Sequence, residues 1–204
     1  MRSIIILALV SLMVFSACNQ AKPAKTIKNL KAGIIGETTA SAKYAAFAIK
    51  AKEEGKINIA KLFEAASKAE AIHAANHTKV LVELGEKMEE FKPEFEVKST
   101  AENLQAAITG ESYEVETMYP QFLADANSEN VEKAMKSFKW ALETEKKHKI
   151  FYTKALEALN SKTENTLPVA YSVCPVCGNT YDIANADANC AFCQTPQSKF
   201  LVIK

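Results

Sequence analysis

Hydrophobic and polar positions alternate with a helical period over four long segments of the chain. Apolar residues recur at steps of three and four within residues 27–48, 63–84, 104–122 and 131–159. This spacing places them along one stripe of an α-helix, whereas a half-buried strand requires alternation at every second residue. Four amphipathic helices of this length predict an all-α protein built on an antiparallel four-helix bundle.

Local signals indicate where these helices begin, end or bend. Gly55 separates the first two patterns. Ser99 and Glu102 frame the sequence STAE, which has the form of a capping box for the third helix. Ser128 is predicted to cap the fourth helix at its N-terminus. Pro120 lies inside the third pattern and lacks a backbone N–H, so that helix is expected to kink or loosen nearby.

The N-terminal segment reads as an export signal. Arg2 and the apolar run that ends at Ala17 predict a signal peptide over residues 1–17. Small residues directly before Cys18 are typical of a lipoprotein cleavage site, so we expect a lipidated Cys18 and a tether over residues 18–26. Ordinary cleavage near Ala17, which would leave a free thiol, is the alternative. The expected location is the bacterial cell envelope, lipid-anchored on the periplasmic side of a membrane.

Three further segments follow the tether. The helical patterns define a bundle over residues 27–160, and a polar stretch that contains a proline predicts a linker over 161–170. Over 171–204 the helical period stops and Cys, Pro and Gly become frequent, which indicates a small metal-binding domain.

Charge excludes one class of partner. Arg2 is the only arginine, and beyond residue 17 the 24 lysines balance 24 acidic residues. A chain without net positive charge or further arginine lacks the basic footprint of a nucleic-acid-binding protein.

Every predicted helix carries ionisable side chains where a core helix would have leucine. Glu70 and His73 form a Glu-x-x-His pair on the second helix, and Glu145 and His148 repeat it on the fourth. Residues three apart lie on one helix face, a turn from each other. A single pair of this kind is common on solvated helices, so the repetition is what matters. The candidate ligands are Glu37, Glu70, His73, Glu111, Glu114, Glu145 and His148.

Antiparallel packing brings these side chains to one level. Glu37 and Glu70 are equally far from the turn near Gly55, and Glu111 and Glu145 are equally far from the turn predicted near residue 128. Burying five carboxylates and two imidazoles without counter-charge would be very unfavourable. Two divalent or trivalent ions supply that charge, and glutamate with imidazole is the ligand set of a carboxylate-bridged di-iron or di-manganese site.

Two of these positions have more specific expectations. Glu70 is expected to bridge the two ions, and His73 to be a terminal ligand of one. His77 lies one turn beyond His73 on the same stripe, where it is either a third imidazole ligand or a residue that supports the ligands. Because the other hairpin has no matching histidine, the supporting role is favoured.

Two Cys-x-x-Cys pairs dominate the last segment of the chain. They are Cys174, Cys177, Cys190 and Cys193. Four thiolates at this spacing predict a tetrahedral site for one Fe or Zn ion, with disulfides as a third option in an exported protein. Gly178 follows the first pair, where the backbone tends to adopt positive φ, and Gln194 occupies the equivalent place after the second pair.

Taken together, these motifs resemble those of the rubrerythrins over about residues 27–204. The sequences GETTASAKY, EAIH, GESYEVETMYP and ETEKKH look like the four helix motifs of that family. The tail is similar to a rubredoxin domain, including TYD at 180–182 and the final PQSKF. The resemblance implies a ferritin-like bundle with a C-terminal rubredoxin-like domain, and it places Tyr44 and Tyr119 close to the metals.

The resemblance also implies an activity. Rubrerythrins act as peroxidases: a diferrous site reduces hydrogen peroxide to water, and the rubredoxin-type Fe(Cys)4 centre passes electrons in. Glu114 would allow the coordination to change as the charge of the metals rises. A head-to-tail homodimer would bring the four-Cys centre of one subunit near the di-iron site of the other.

Some features depart from that family. Export would separate the chain from NADH, so its electron donor is unknown. Asn179, Gln194 and the sequence CAFC differ from common rubredoxin motifs, which leaves zinc open as an alternative to iron in the tail. Two other functions therefore remain: a ferritin-like iron-binding protein or ferroxidase, and a non-enzymatic protein with zinc in both sites.

Overall fold

The computed structural model describes residues 22–204. The predicted signal peptide, Cys18 and most of the tether lie outside the described residues. Within residues 22–204, no helix combines the length and the apolar character needed to cross a membrane.

Four helical rods form an antiparallel bundle, as the hydrophobic period predicts. Three rods are the single helices α1, α2 and α5, and the remaining rod is made of α3, a π-helical segment and α4 in sequence. Their bounds are α1 Ala24–Glu53, α2 Ile57–Glu83, α3 Thr100–Tyr113, the π-helical segment Glu114–Met118, α4 Tyr119–Ser128 and α5 Glu132–Ser161.

The predicted helix boundaries are mostly confirmed. Gly55 adopts φ +72° in the turn between α1 and α2, and Ser99 and Glu102 form a capping box in which each satisfies a backbone N–H of the other. The prediction for Ser128 is wrong. Ser128 is the last residue of α4, its hydroxyl donates to the Asp125 carbonyl at 2.8 Å, and α5 begins three residues later than expected.

Pro120 is accommodated by a change of helix type. It is the second residue of α4, directly after the π-helical segment. A proline in an α-helix leaves the carbonyl four residues earlier without its donor. The wider π turn carries the chain through this position, so the third rod loosens without ending.

Two apolar clusters occupy the bundle, one on each side of the level where the ionisable residues lie. One cluster is built around Tyr44, Phe63 and Tyr152, and the other around Leu30, Phe122 and Phe138. Buried alanines such as those of α2 fill much of the remaining interface and allow the helices to approach closely. The polar level is therefore enclosed along the bundle axis by packed, water-excluding side chains.

The C-terminal segment is a small three-stranded unit that packs on the bundle. Its strands are β1 Tyr171–Val173, β2 Thr180–Asp182 and β3 Leu201–Ile203, arranged in the antiparallel order β2-β1-β3. Single 3₁₀ turns lie at 183–185 and 197–199.

The connection between α5 and this unit is held against the bundle. Lys162 ends α5 in the left-handed conformation at φ 58°. Leu167, Tyr171 and Val173 then join the apolar cluster around Phe63, and Lys61 donates to the Val169 carbonyl at 2.8 Å. The connection is thus a packed segment of chain with a defined path along α2.

Candidate metal centres

Six of the seven predicted ligands converge in the middle of the bundle. They form two groups whose ligand atoms lie within 4.8 Å of one another, Glu37–Glu70–His73–Glu145 and Glu70–Glu111–Glu145–His148. Glu70 and Glu145 belong to both groups. The two groups would hold two adjacent ions, with Glu70 and Glu145 shared between them and one further glutamate and one histidine for each ion.

The distances from the two histidines show that Glu70 and Glu145 contribute to both groups. His73 Nδ1 lies 3.0 Å from Glu70 Oε2 and 2.8 Å from Glu145 Oε1. His148 Nδ1 lies 3.1 Å from the other oxygen of Glu70 and 2.8 Å from the other oxygen of Glu145. Each of the two carboxylates therefore presents one oxygen to each imidazole.

The same atoms are available to bind metal ions. Both oxygens of Glu70 and of Glu145, and Nδ1 of both histidines, are buried with no hydrogen-bond partner among residues 22–204. Buried polar atoms are otherwise almost always hydrogen-bonded. Since the short contacts lack hydrogen-bond geometry and the ligand atoms of each group lie within 4.8 Å of one another, the arrangement suits two bound cations.

Without metal ions, the pKa values of the buried ligands show which of them would carry protons. Burial raises the pKa of Glu37 and of Glu111 well above the usual range, and the neighbouring carboxylates add to that rise. Burial also opposes ionisation of Glu70, but the charge of His148 outweighs it and holds the Glu70 pKa at about 2. Against its own burial, His148 has a pKa raised to about 9, chiefly by Glu70. Metal ions must displace these protons to bind.

Glu114 lies outside both groups. It is the first residue of the π-helical segment and remains half-buried. Burial, followed by the charge of Glu111, raises its pKa well above the usual value, so it lies close to the centre without belonging to either four-residue group. Its role as a ligand stays a prediction.

Two tyrosines connect the hairpins in a crossed pattern. Tyr44 on α1 donates from its hydroxyl to Glu111 Oε1 at 2.7 Å, and Tyr119 on α4 donates to Glu37 Oε1. Each tyrosine thus holds a terminal carboxylate of the other hairpin. Both side chains are buried, as expected for residues close to the metals.

His77 belongs to neither ligand group, in agreement with the supporting role. The Tyr119 hydroxyl donates to Glu37, so it accepts from His77 Nε2 at 3.1 Å, and His77 Nδ1 accepts from the Ser137 hydroxyl at 2.7 Å. Burial lowers the His77 pKa to about 3, which keeps the ring neutral and able to serve as both donor and acceptor.

The four tail cysteines form one compact site. All four sulfurs lie within 4.8 Å, and the closest pairs, Cys174–Cys193 and Cys177–Cys190, are 3.4 Å apart. Sulfurs held tetrahedrally at ~2.3 Å from one ion would be about 3.8 Å apart, whereas a disulfide requires ~2.05 Å. These four cysteines are free thiols, so the disulfide option is excluded. Gly178 and Gln194 adopt φ +82° and +62° as predicted.

Hydrogen bonds favour the thiolate form at two of the four cysteines, Cys174 and Cys190, whereas the pKa of Cys177 is raised by its hydrogen bond to Cys174 and that of Cys193 by burial. A hydrogen bond from Cys177, with backbone N–H groups of Val176 and Cys177, lowers the Cys174 pKa to about 4. At Cys190 burial raises the pKa, but the N–H groups of Phe192 and Cys193 outweigh it. Thiolate is the form that binds a metal ion.

Comparison with known proteins is consistent with this pair of sites. The rubrerythrin family model matches residues 28–156. This is a member of the rubrerythrin family. The chain is 35% identical to nigerythrin of Nitratidesulfovibrio vulgaris over 86% of its length and 85% of that protein. It is 33% identical to rubrerythrin-2 of Clostridium acetobutylicum, with 88% and 97% covered. A mixed-valence nigerythrin structure superposes with a TM-score of 0.79 at 31% identity, covering 96% of this chain and all of that one.

Family membership settles the cofactor class. This rubrerythrin-family chain has a ferritin-like bundle with a carboxylate–histidine di-iron site and a rubredoxin-like four-Cys iron site. A solved state of nigerythrin is described as fully reduced with all iron ferrous, and it superposes with a TM-score of 0.78.

The turn that follows Cys177 contacts two histidines of the bundle site within this rubrerythrin-family chain. His148 Nε2 lies 2.9 Å from Thr180 Oγ1. Because the Thr180 hydroxyl donates to the Gly178 carbonyl at 3.2 Å, it accepts from His148, which leaves Nδ1 free for a metal ion. Gly178 packs on the His73 ring so closely that a Cβ there would overlap Nε2. The resemblance implied a partner's four-Cys unit at this place, and the chain's own unit occupies it.

Sequence reasoning missed the residues that make these contacts. Ser137, Thr180 and Lys147 had no assigned role, although KKH and TYD were recognised as motifs. Lys147 donates to Asn179 Oδ1 at 2.6 Å, and Asn76 donates to the Val176 carbonyl at 2.9 Å. Burial lowers the pKa of Lys147, and the negative charges of Cys190 and Asp187 oppose that shift. Such contacts join segments distant in sequence and leave no local pattern.

Proposed function

We propose that this protein is a non-haem di-iron peroxidase that reduces hydrogen peroxide to water in defence against oxidative stress. Electrons enter through the four-Cys iron site. The contact between the two centres is the observation that carries this proposal. One histidine from each ligand group, His73 and His148, meets the 178–180 turn that follows Cys177. An iron-binding protein without a redox cycle has no need of such a contact.

The reaction requires two electrons and two protons for each peroxide that is converted to two waters. The iron pair, when bound, supplies the two electrons. The protein holds protons beside the site: Tyr119 keeps one at Glu37, with His77 behind it, and Tyr44 keeps one at Glu111. The apolar clusters on both sides exclude water from the reacting groups.

Electron delivery within one chain is part of the proposal. Burial of Leu167, Tyr171 and Val173 against the chain's own bundle supports it, because these contacts fix the path of the chain from α5 to the four-Cys unit. Head-to-tail dimerisation is then not needed to join the two centres. The homodimer stays a prediction, and the electron donor is unidentified.

The activity is tested on iron-loaded protein with a reductant. We expect peroxide consumption well above the free-iron background. Glu70→Ala and His73→Ala should lose most bound iron and activity together, because each removes a ligand atom from the centre. His77→Ala serves as the matched control and should retain most of its iron, since within residues 22–204 this imidazole bonds only Tyr119 and Ser137. Metal analysis and peroxide assays report the two quantities separately.

Two outcomes would contradict the peroxidase proposal, and a third would contradict the ligand assignment. Peroxide consumption no faster than that of free iron would exclude a peroxidase. Rapid oxygen-dependent Fe(II) oxidation with slow peroxide turnover would instead favour the ferritin-like ferroxidase. Loss of iron from His77→Ala equal to that from His73→Ala would overturn the ligand assignment.

We further propose that the chain works at the bacterial cell envelope, anchored through a lipidated Cys18. The signal-peptide pattern of residues 1–17 supports this location. Cell fractionation tests it: the natural chain should sediment with membranes and Cys18→Ala should not. A natural chain found in the soluble fraction with residues 1–17 still attached would exclude the anchor.

A further inference from the structure

Lys147 occupies an unusual position between the two iron sites. It lies on α5 directly before the candidate ligand His148, but its side chain reaches into the four-Cys unit. Its ammonium lies 4.3 Å from the Tyr181 ring centroid and 5.0 Å from that of Phe192. A half-buried lysine enclosed by aromatic faces has given up much of its hydration, so its charge acts strongly on nearby groups.

One side-chain amide links this ammonium to the metal-binding sulfurs. Lys147 Nζ donates to Asn179 Oδ1 at 2.6 Å. The Asn179 Nδ2 group donates to Cys190 Sγ at 3.7 Å and to the Tyr181 hydroxyl at 2.7 Å. Asn179 is fully buried. A cation on the amide oxygen polarises the N–H groups and strengthens the bonds they donate.

The charge of the four-Cys site changes when its iron is reduced. Four thiolates with Fe(III) carry a net charge of −1, and the same site with Fe(II) carries −2. Hydrogen bonds to sulfur and nearby positive charge stabilise the more negative state and so raise the reduction potential. The acidic groups that also face Lys147 are Asp187, which is exposed, and Glu143, which pairs with Lys146.

We propose that Lys147 is a positioning residue that raises the reduction potential of the four-Cys iron, acting directly through its charge and indirectly through the Asn179 amide. Because Lys147 belongs to the bundle and the thiolates belong to the tail, the effect requires that the two be docked. The bundle thereby favours entry of an electron into the tail site next to it. This inference depends on iron in the four-Cys unit but not on which oxidant the bundle reduces.

The test is a potentiometric titration of the full-length iron-loaded protein. The visible absorption of the ferric four-thiolate centre reports its midpoint potential, independently of peroxide turnover. Lys147→Met should lower the equilibrium constant for reduction roughly tenfold, which corresponds to about 59 mV for a one-electron couple. Lys147→Arg should restore most of the potential, because it keeps the charge and a donor for Asn179.

Lys146→Met is the matched control. That lysine is adjacent in sequence but exposed, and it pairs with Glu143 at 2.7 Å on the surface. Its replacement should shift the potential far less than Lys147→Met does, because its charge is solvated and makes no contact with the four-Cys unit. If Lys147→Met does not retain iron, Lys147→Gln is measured in its place. The glutamine amide can still donate to Asn179 Oδ1, but it carries no charge. An unchanged potential in the Lys147 variants, or an equal shift in the Lys146 control, would overturn the proposal.

Discussion

At the scale of single residues, the centre is surrounded by hydrogen bonds that determine which nitrogen atoms are free. His148 donates through Nε2 to Thr180, and His77 donates through Nε2 to Tyr119. The first bond leaves the Nδ1 lone pair of His148 for the metals, whereas the second, together with the Ser137 hydroxyl on Nδ1, occupies both nitrogens of His77. His77 on α2 and His148 on α5 therefore differ in role because their hydrogen-bond partners differ.

The neutral state of His77 predicts a pH dependence of stability. Its pKa is about 3 in the folded chain and 6.5 when unperturbed, so the unfolded chain binds more protons between these values. Stability should fall as pH is lowered below about 6.5, by roughly 1.4 kcal/mol for each pH unit from this group alone. Urea unfolding of the natural protein and His77→Gln at several pH values measures the difference. Parallel pH profiles for the two proteins would contradict the prediction.

Gly178 combines two constraints that can be separated by mutation. It adopts φ +82°, and an added Cβ would overlap His73 and approach the Ala69 carbonyl oxygen to 3.1 Å. We expect Gly178→Ala to release the tail from the bundle and to destabilise the chain by more than the ~1–2 kcal/mol of backbone strain alone.

Gly85→Ala is the control for strain. Gly85 has φ +77°, but no atom of the described residues lies within 4 Å of its added Cβ. Hydrogen exchange of residues 171–182 should rise in Gly178→Ala and stay unchanged in Gly85→Ala. Equal behaviour of the two variants would show that the contact with His73 is unimportant.

At the scale of elements, the π-helical segment keeps two halves of one rod in phase. Glu37 and Glu111 are 74 residues apart, whereas the pairs Tyr44–Tyr119 and Glu70–Glu145 are 75 apart. The extra residue falls between Glu111 and Tyr119, where the chain is π-helical over 114–118. A π turn absorbs one residue, so both Glu111 and Tyr119 face the centre, as Glu37 and Tyr44 do on α1.

Insertion of one alanine after Thr117 should therefore damage the site more than any substitution there. Thr117 is exposed, so the change removes no core packing. A further residue that no second π turn absorbs would rotate one half of the rod by about 100° relative to the other. We expect loss of the Tyr119–Glu37 bond and of bound iron. Thr117→Ala, as the control, should bind iron normally; full iron binding by the insertion variant would disprove the phase argument.

At the scale of the whole molecule, the tail and the bundle act as one unit. The contacts at Asn76, Lys147, His148 and Gly178 lie on one face formed by α2 and α5. The connection packed along α2 leads directly to that face. Each chain therefore carries both centres side by side.

Mixing of two defective chains tests this arrangement. A Cys190→Ser chain lacks the tail site and a Glu70→Ala chain lacks the di-iron site. Expressed together, they should not regain activity, because each chain would use its own tail. Cross-linking of a mixture of isotopically labelled and unlabelled chains checks the contact without relying on activity: links between α2 and residues 171–204 should join chains of one label only. Restored activity with mixed-label links would demonstrate exchange of tails between subunits.

The sequence by itself determined the elements and the identity of most site residues. Helical period, the repeated Glu-x-x-His and the Cys-x-x-Cys spacing are local patterns, and the equal distances from two turns were enough to bring Glu37, Glu70, Glu111 and Glu145 to one level. The capping box at Ser99 followed from local chemistry in the same way. The predicted cap at Ser128 was wrong. Its hydroxyl donates to the Asp125 carbonyl in α4, and the turn before α5 extends to Val131.

Only the tertiary structure decided the contacts between segments distant in sequence. The crossed tyrosines, the partners of His77, the exclusion of Glu114 from both ligand groups and the position of Lys147 depend on how helices rotate against one another. The docking of the tail on its own bundle depends on burial of Leu167 and Tyr171. Packing selects these orientations through the shape of many side chains at once, and no short stretch of sequence contains that information.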